Sequence, residues 1–270
     1  MQSVCEARTC AMSRDVAAVP RHDDNLEIRI ARDQRDLQAA QRLRFEVFNI
    51  EMRLGLAGSF SAGLDRDAFD SYCDHLLVVE RREGRVAGTY RLLRSDRVPT
   101  FGFYSESEFR LDNIRGAGLR LLELGRSCVA PGYRSGRVIH LLFQGIADYA
   151  RAHRVDALMG CVSVRGNDSE ELRRIFTLVR RTYYADPEFR VTPKRGYALP
   201  GLESVLEIDK AEVFRTLPPL FKGYLRLGAK VCGPPAFDRQ FGTTDFFMLL
   251  RTEDMEKRYE RRFFAQEDVA

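Results

Sequence analysis

A small set of charged side chains and one turn carry most of the chemistry legible in this sequence. Arg44, Arg91 and Arg126 offer planar forks suited to a carboxylate. Asp65, Asp67 and Asp70, spaced as DRDAFD, offer carboxylates to an ammonium, or else form a solvated acidic loop. That spacing lacks the remaining ligands of a calcium loop, so no metal is expected there. Glu123, in LELGR, and His75, in CDHLLV, add two groups able to take up a proton. A Glu paired with an arginine, or a structural His at a strand start, fits the same residues. Pro131 to Arg137 is a polar, basic turn placed between an apolar segment and a run with helical spacing. A strand, a short Gly/Arg turn and a helix N-terminus together present free N–H groups and a positive dipole end to an anion. Neither GxxxxGK[ST] nor GxGxxG is present, which excludes a P-loop and a dinucleotide fingerprint. An ordinary βα turn would have the same residues.

The elements that must position these groups follow from periodicity. Leu121 to Ala130 is short, apolar and ended by Pro131, as a central strand is. Alternation places Leu122, Leu124, Arg126 and Cys128 on one face and Leu121, Glu123, Gly125 and Ser127 on the other. Gly125 suggests a bulge or a close backbone approach. Val138, Ile139, Leu142, Ile146 and Tyr149 predict a helix over 136–153. Upstream, Leu26 to Ile30 is a strand. A helix capped by Asp33 or Asp36 follows, with Leu37, Ala40, Leu43, Val47 and Phe48 on one stripe. Asp74 to Glu80 and Arg85 to Leu93 form a hairpin around Glu83-Gly84. Residues 94–120 read as irregular, with a short helix near Ser105 to Phe109. Val155 to Val162 is a buried strand, and 168–185 a helix. Lys210 to Ala229 is helical but broken at Pro218-Pro219, and Asp245 to Arg251 is the last strand. The expected organisation is a flexible tail over 1–24, one domain over 25–252 with an insertion at 186–240, and a charged helix over 253–270. The order β, α, hairpin, β, α, β, α, β means a mixed α/β (α+β) sheet with parallel and antiparallel neighbours.

Composition narrows the class. The chain has 270 residues, 44% of them hydrophobic, and a net charge of +4 from 43 basic and 39 acidic residues. That mild charge, with no basic run carrying a nucleic-acid motif, gives no case for nucleic-acid binding. Cys5, Cys10, Cys73, Cys128, Cys161 and Cys232 form no CxxC and no zinc spacing, so reduced thiols and a cytoplasmic location are expected. Residues 1–25 lack the apolar core of a signal peptide, and no run reaches the ~20 apolar residues of a membrane span.

Three resemblances draw these features together. The strand, turn and helix resemble the pyrophosphate or pantetheine turn of the GNAT acyltransferases, with Arg134, Gly136 and Arg137 matching loosely and bulkier residues at the second Gly. RFEVF at Arg44 to Phe48, the acidic loop ending at Asp70, Arg91 in GTYRLL, and Glu123 with Arg126 in ELGR resemble the autoinducer synthases, a GNAT branch that makes acyl-homoserine lactones. That match covers about 26–165. Over nearly all the chain beyond the tail, DRDAFDSYCDHLLVVE, LELGRSCVAPGYRSGRVIHLLFQGI and LPPLFKGYLRLGAKVCGPPAFDRQFGTTDFF are similar to the bacterial ornithine N-acyltransferases. This wider match is the preferred one, because the C-terminal third has no counterpart in the autoinducer synthases and the chain has no Trp.

The resemblance implies a GNAT-like, mostly antiparallel sheet with a splayed central strand, flanking helices and a helical C-terminal elaboration. It implies transfer of a (3-hydroxy)fatty acyl group from an acyl carrier protein thioester to the α-amine of ornithine, with no bound cofactor. Glu123 is then the first choice of base, with Asp70 and His75 as alternatives. Arg44, Arg91 and Arg126 compete for the acceptor carboxylate, and Asp65, Asp67 and Asp70 suit its side-chain ammonium. Backbone N–H groups near Cys128, Val129 and Ala130 would face the thioester oxygen. Arg134, Ser135, Gly136 and Arg137 would hold the phosphopantetheine arm, and Arg134, Arg137, Arg151 and Arg154 an acidic carrier protein. Coenzyme A would use the same charges. Phe101, Phe103, Leu141, Phe143 and Phe176 suit an acyl tunnel or ordinary core packing. Leu217 to Leu227 and the terminal EKRYERRFF suit peripheral contact with the inner membrane, or helix packing. The alternatives are an acyl-homoserine-lactone or other N-acyl amino acid synthase, and an inactive module that binds acyl carrier protein or lipid.

Overall fold

The computed structural model describes residues 25–55 and 57–254; the expected tail, Cys5 and Cys10, and nearly all of the charged C-terminal segment lie outside the described residues. Strand β1 (Leu26–Ile30) leads into α1 (Gln34–Arg44), whose N-cap Asp33 accepts from the amides of Arg35 and Asp36. The chain continues past Arg44 as a wider, π-type turn over Phe45–Glu51, so the apolar stripe runs on to Val47. Strands β2 (Asp74–Glu80) and β3 (Val86–Arg94) form the expected antiparallel hairpin. The irregular stretch holds a 3₁₀ turn at Tyr104–Ser107, a short β4 (Phe109–Arg110) and α2 (Asp112–Gly116). Then come β5 (Leu121–Val129), α3 (Arg137–Ala152), β6 (Ala157–Arg165) and α4 (Ser169–Thr182). Residues 186–240 supply β7 (Thr192–Pro193), α5 (Lys210–Thr216), α6 (Pro219–Leu227), β8 (Lys230–Val231) and β9 (Ala236–Asp238). The break between α5 and α6 falls at Pro218-Pro219, because proline at an interior position removes a helix hydrogen bond and clashes with the preceding turn. Strand β10 (Thr243–Arg251) closes the order.

The strands are arranged β1-β2-β3-β5-β6-β10-β8, with β9 also on β10, and every pairing is antiparallel except β5 with β6. This is the GNAT-like mixed architecture, with helices on both faces. Helix α3 covers one face, where Leu76, Val78, Tyr90, Leu92 and Leu122 join α3 and α6 in the main core. The opposite face carries α1 over Leu77 and Val79, and a second core around Leu121, Met159 and Phe247. Leu217, Phe221, Leu225 and Leu227 are all buried, so the apolar side of α6 faces inward. Among the described residues no helix is long and apolar enough to cross a membrane.

Two local features place the site. Strands β5 and β6 pair only at Leu121, Leu122 and Glu123 and then diverge. At the divergence Gly160 lies so close to β5 that a Cβ would stand 2.4 Å from the Leu124 carbonyl oxygen, which only a glycine permits. The second feature is a bulge. Thr89 pairs with Cys128 but Arg91 with Gly125, so three residues of β5 oppose two of β3. Arg126 takes up the extra length with φ +51°, a left-handed conformation uncommon outside glycine. The bulge corrects the simple alternation. Arg126 moves to the face of Glu123, while Ser127 turns to the other face and hydrogen-bonds Tyr90.

Candidate active site

Three arginines and three aspartates meet on the α1 face. Arg44 is fully buried, with Nε 2.7 Å from Asp65 and Nη1 2.9 Å from Asp70. Arg91 Nη1 donates to Asp67 at 2.7 Å and to Asp70 at 3.0 Å. Arg126 Nη2 donates to Asp67 at 3.2 Å, while its Nε lies 3.3 Å from Asp65 without hydrogen-bond geometry, as an ionic contact. Gln41 adds a donor to Asp70 at 2.9 Å. Charges therefore match one for one. Burial alone would raise the Asp70 carboxyl, but Arg44 and Arg91 hold it well below the usual carboxylate range. Asp67 is lowered in the same way, by Arg91 and Arg126 against its burial. His75 is buried with Nε2 3.1 Å from the Asp70 carbonyl, and burial lowers its pKa.

Only part of this network faces open space. A cavity of about 330 Å³ is lined by Arg91, Glu123, Gly125, Arg126, Cys128, Val129 and Arg134, together with Tyr104, Phe241 and residues of the 186–240 segment. Arg44, Asp65, Asp67, Asp70 and His75 stand behind that wall rather than in it. Aromatic rings fix the exposed arginines. Tyr104 lies 5.2 Å from Arg91 and 4.8 Å from Arg126, and Phe241 covers Arg126 at 5.1 Å. Glu123 is buried in the middle, accepting from the amides of Tyr104 at 2.8 Å and Ser105 at 2.7 Å. Burial raises its pKa, with those amides acting in the opposite direction.

The turn after β5 is less enclosed. Arg134 donates to the Val129 carbonyl at 3.0 Å and holds Glu51 through two bonds of 2.5 and 2.7 Å. Ser135 and Arg137 are exposed, and Gly136 begins α3 at φ +93° without a side-chain cap. Ala130 packs near Cys128, Leu43 and Val47. Burial pushes the Cys128 thiol up to about 12, which leaves little thiolate for an acyl-enzyme. On the opposite side of the β5–β6 gap is a smaller apolar cavity of about 50 Å³ between Leu124, Phe143, Ile146, Gly160, Tyr224 and Met248. Leu124, Cys161 and Tyr224 border both cavities. Of the expected tunnel residues Phe143 lines the apolar side, Leu141, Phe103 and Phe176 pack in the cores, and Phe101 is exposed.

The sequence reading missed a second acidic group, Glu108, Asp238 and Asp245, each more than nine-tenths buried. Asp238 and Asp245 line the large cavity beside Ser163. Burial raises both Glu108 and Asp245, and the Asp238 carboxylate adds to this in each; the contact between Glu108 and Asp245 raises Glu108 and acts the other way on Asp245. These residues come from three separate segments with no motif spacing. The usable signal was Asp245 itself, a charged residue on the same strand face as Phe247 and Leu249.

The description "Acetyltransferase (GNAT) domain" matches residues 43–144. The chain is 39% identical over 249 residues to an L-ornithine N(alpha)-acyltransferase of Agrobacterium fabrum, covering 87% of this chain and 83% of the relative. It is 38% identical over 250 residues to the protein of the same name in Rhodobacter capsulatus, covering 89% and 95%. Two solved structures share the fold. The N-acyl amino acid synthase FeeM from uncultured soil microbes has a TM-score of 0.52 at 13% identity, over 88% of this chain and 95% of its own. The AHL synthase LasI has a TM-score of 0.53 at 14% identity, over 91% and 98%.

Proposed function

The chain belongs to the L-ornithine N(alpha)-acyltransferase family, and from that premise we propose how its site joins an acyl group to the α-amine of ornithine. The observation that carries the reading is the parting of β5 and β6 beyond Glu123, which leaves a polar cavity on one face and an apolar one on the other. An acyl thioester lying through that gap places its carbonyl between the two cavities. Its chain enters the apolar side past Leu124 and Phe143, and its pantetheine arm runs along the end of β5 toward Arg134 and the start of α3.

Ornithine then occupies the polar side. Arg91 and Arg126 are the two arginines of the network that line the cavity, and they bind the carboxylate. Arg44, Asp65, Asp67 and Asp70 act behind them as fixed counter-charges. Glu123 takes a proton from the α-ammonium, directly or through water. The two amides on its carboxylate fix its direction, and burial helps it hold the proton it gains. The free amine adds to the thioester carbon, and the oxyanion meets the backbone N–H groups of β5 near Val129; the Ala130 N–H is already given to the Ala87 carbonyl at 2.9 Å and does not serve. The C–S bond then breaks, and the second proton of the nitrogen passes to the departing thiolate, directly or through water, so that amide and free thiol are formed together.

The donor is a 3-hydroxyacyl thioester of acyl carrier protein. Arg134, Arg137, Arg151 and Arg154 form the docking face for that acidic partner, in the cytoplasm at the inner membrane surface where an amphiphilic product partitions. A side-by-side assay of acyl carrier protein and coenzyme A thioesters tests the donor. With the carrier protein, the specificity constant is expected to fall about tenfold as salt rises from low to several times physiological strength. Arg137→Glu is expected to raise the KM for that donor by about tenfold or more. Equal use of the coenzyme A thioester, with no salt dependence, would overturn the carrier protein.

A further inference from the structure

We propose that Asp238 and Asp245, with Glu108 behind them, form the subsite for the side-chain ammonium of the acceptor, and so select a diamino acid over a neutral one of the same length. The inference rests on the ornithine reading above and adds to it the residues that read the side chain.

The two acidic clusters differ in how their charge is matched. Asp65, Asp67 and Asp70 are matched by Arg44, Arg91 and Arg126. Among the described residues no ion pair joins Glu108, Asp238 or Asp245 to a basic side chain; the nearby Arg126 is already held by Asp65 and Asp67. Glu108 and Asp245 are 2% and 7% exposed, and each keeps one carboxylate oxygen, Oε2 and Oδ1, without any hydrogen-bond partner. An unpartnered buried carboxylate oxygen costs free energy unless a ligand supplies the donor. Asp245 and Asp238 stand in the wall of the cavity that also holds Arg91, Arg126 and Glu123.

The substrate carries the complementary excess. Ornithine has one carboxylate and two ammonium groups. The α-ammonium gives up its proton in the reaction, and the carboxylate faces arginine. The remaining ammonium stays cationic throughout and needs an anionic partner in a buried site. The three acids come from the turn before β4, from β9 and from β10, so the 186–240 segment and the last strand together read the side chain.

The residues also suit another ligand, since the ligating atoms of Glu108, Cys161 and Asp245 lie within 4.8 Å of one another. A divalent metal at those three atoms is the competing occupant, and the variants below separate it from an ammonium.

The test compares ornithine with norvaline, which has the same five carbons and no terminal amine. It uses the full-length wild type, Asp245→Asn and Glu108→Gln, with an acyl thioester donor. Wild type is expected to prefer ornithine by on the order of 100-fold in kcat/KM. Each variant is expected to cut that preference about tenfold or more, mainly through the KM for ornithine. Asp245→Asn removes charge from a buried acidic cluster, and Glu108→Gln replaces a carboxyl that burial raises to about 9 with a neutral amide of the same shape, so the fold should persist. As a second readout, ornithine should raise the melting temperature of wild type more than norvaline does, and lose that advantage in the variants. An unchanged preference overturns the subsite. So does an equal fall of kcat with both acceptors, which would make Asp245 a proton acceptor. A stoichiometric divalent metal in wild type that is lost in Asp245→Asn also overturns it. Wild type that forms no acyl-ornithine removes the underlying reading, and that result is separable because it appears before any variant is compared.

Discussion

Arg44→Met is expected to cost about 3–5 kcal/mol of stability, a large fraction of a typical folding free energy. Arg44 is fully buried, and its guanidinium donates to one oxygen of Asp65 and to both oxygens of Asp70. Methionine fills similar volume but leaves two buried carboxylates with fewer donors, and an uncompensated buried charge is the most costly kind of core defect. Urea denaturation with an unchanged slope would measure the loss. The network also sets an acid sensitivity. Asp67 and Asp70 have folded pKa values below their unfolded ones, so their stabilisation is present above the unfolded value of about 4 and is lost as pH falls below it. Arg44→Met should flatten that loss. A variant as stable as wild type at neutral pH would show that the ion network contributes no net stability.

Glu123→Gln is expected to lower kcat by about 10²–10⁴. Two roles must be separated, because Glu123 also holds the Tyr104–Ser107 turn through two amides. Glutamine accepts one of those hydrogen bonds and opposes the other with its own N–H, a cost of about 1–3 kcal/mol. A purely structural role would therefore appear as a lower melting temperature and a raised KM. A base leaves a different signature. Activity in wild type should rise as pH rises through the burial-raised value of Glu123, because only the carboxylate accepts a proton. That rising limb should vanish in the variant. Loss of stability with the limb intact would assign Glu123 to positioning and move proton removal to another group.

How much was legible in advance differs by scale. Hydrophobic period located the hairpin, the central strand, α3 and the broken α5–α6 pair, since each obeys a local rule. The pairing of β5 with β6 over three residues was not legible, because divergence depends on how Gly160 meets Leu124 across the gap. The bulge was placed near Gly125, yet Arg126 takes the unusual backbone angle, and this single residue brings Glu123 and Arg126 to one face. Arg44, Arg91, Arg126, Asp65, Asp67 and Asp70 stand out in the sequence, but spacing alone cannot show that the three aspartates face arginines rather than the substrate. Asp245 sat unremarked at the head of an apolar strand, because a three-segment cluster has no spacing to detect.

The central claim is transfer of an acyl group to the α-amine of ornithine across the β5–β6 gap. The most direct measurement follows thiol release from 3-hydroxyacyl-carrier protein under single turnover, with and without ornithine, and reads the product by mass and by which nitrogen is acylated. Thiol release is expected to require ornithine and to match formation of the α-amide mole for mole. Thiol release without an amine, or acylation of the side-chain nitrogen, would contradict it.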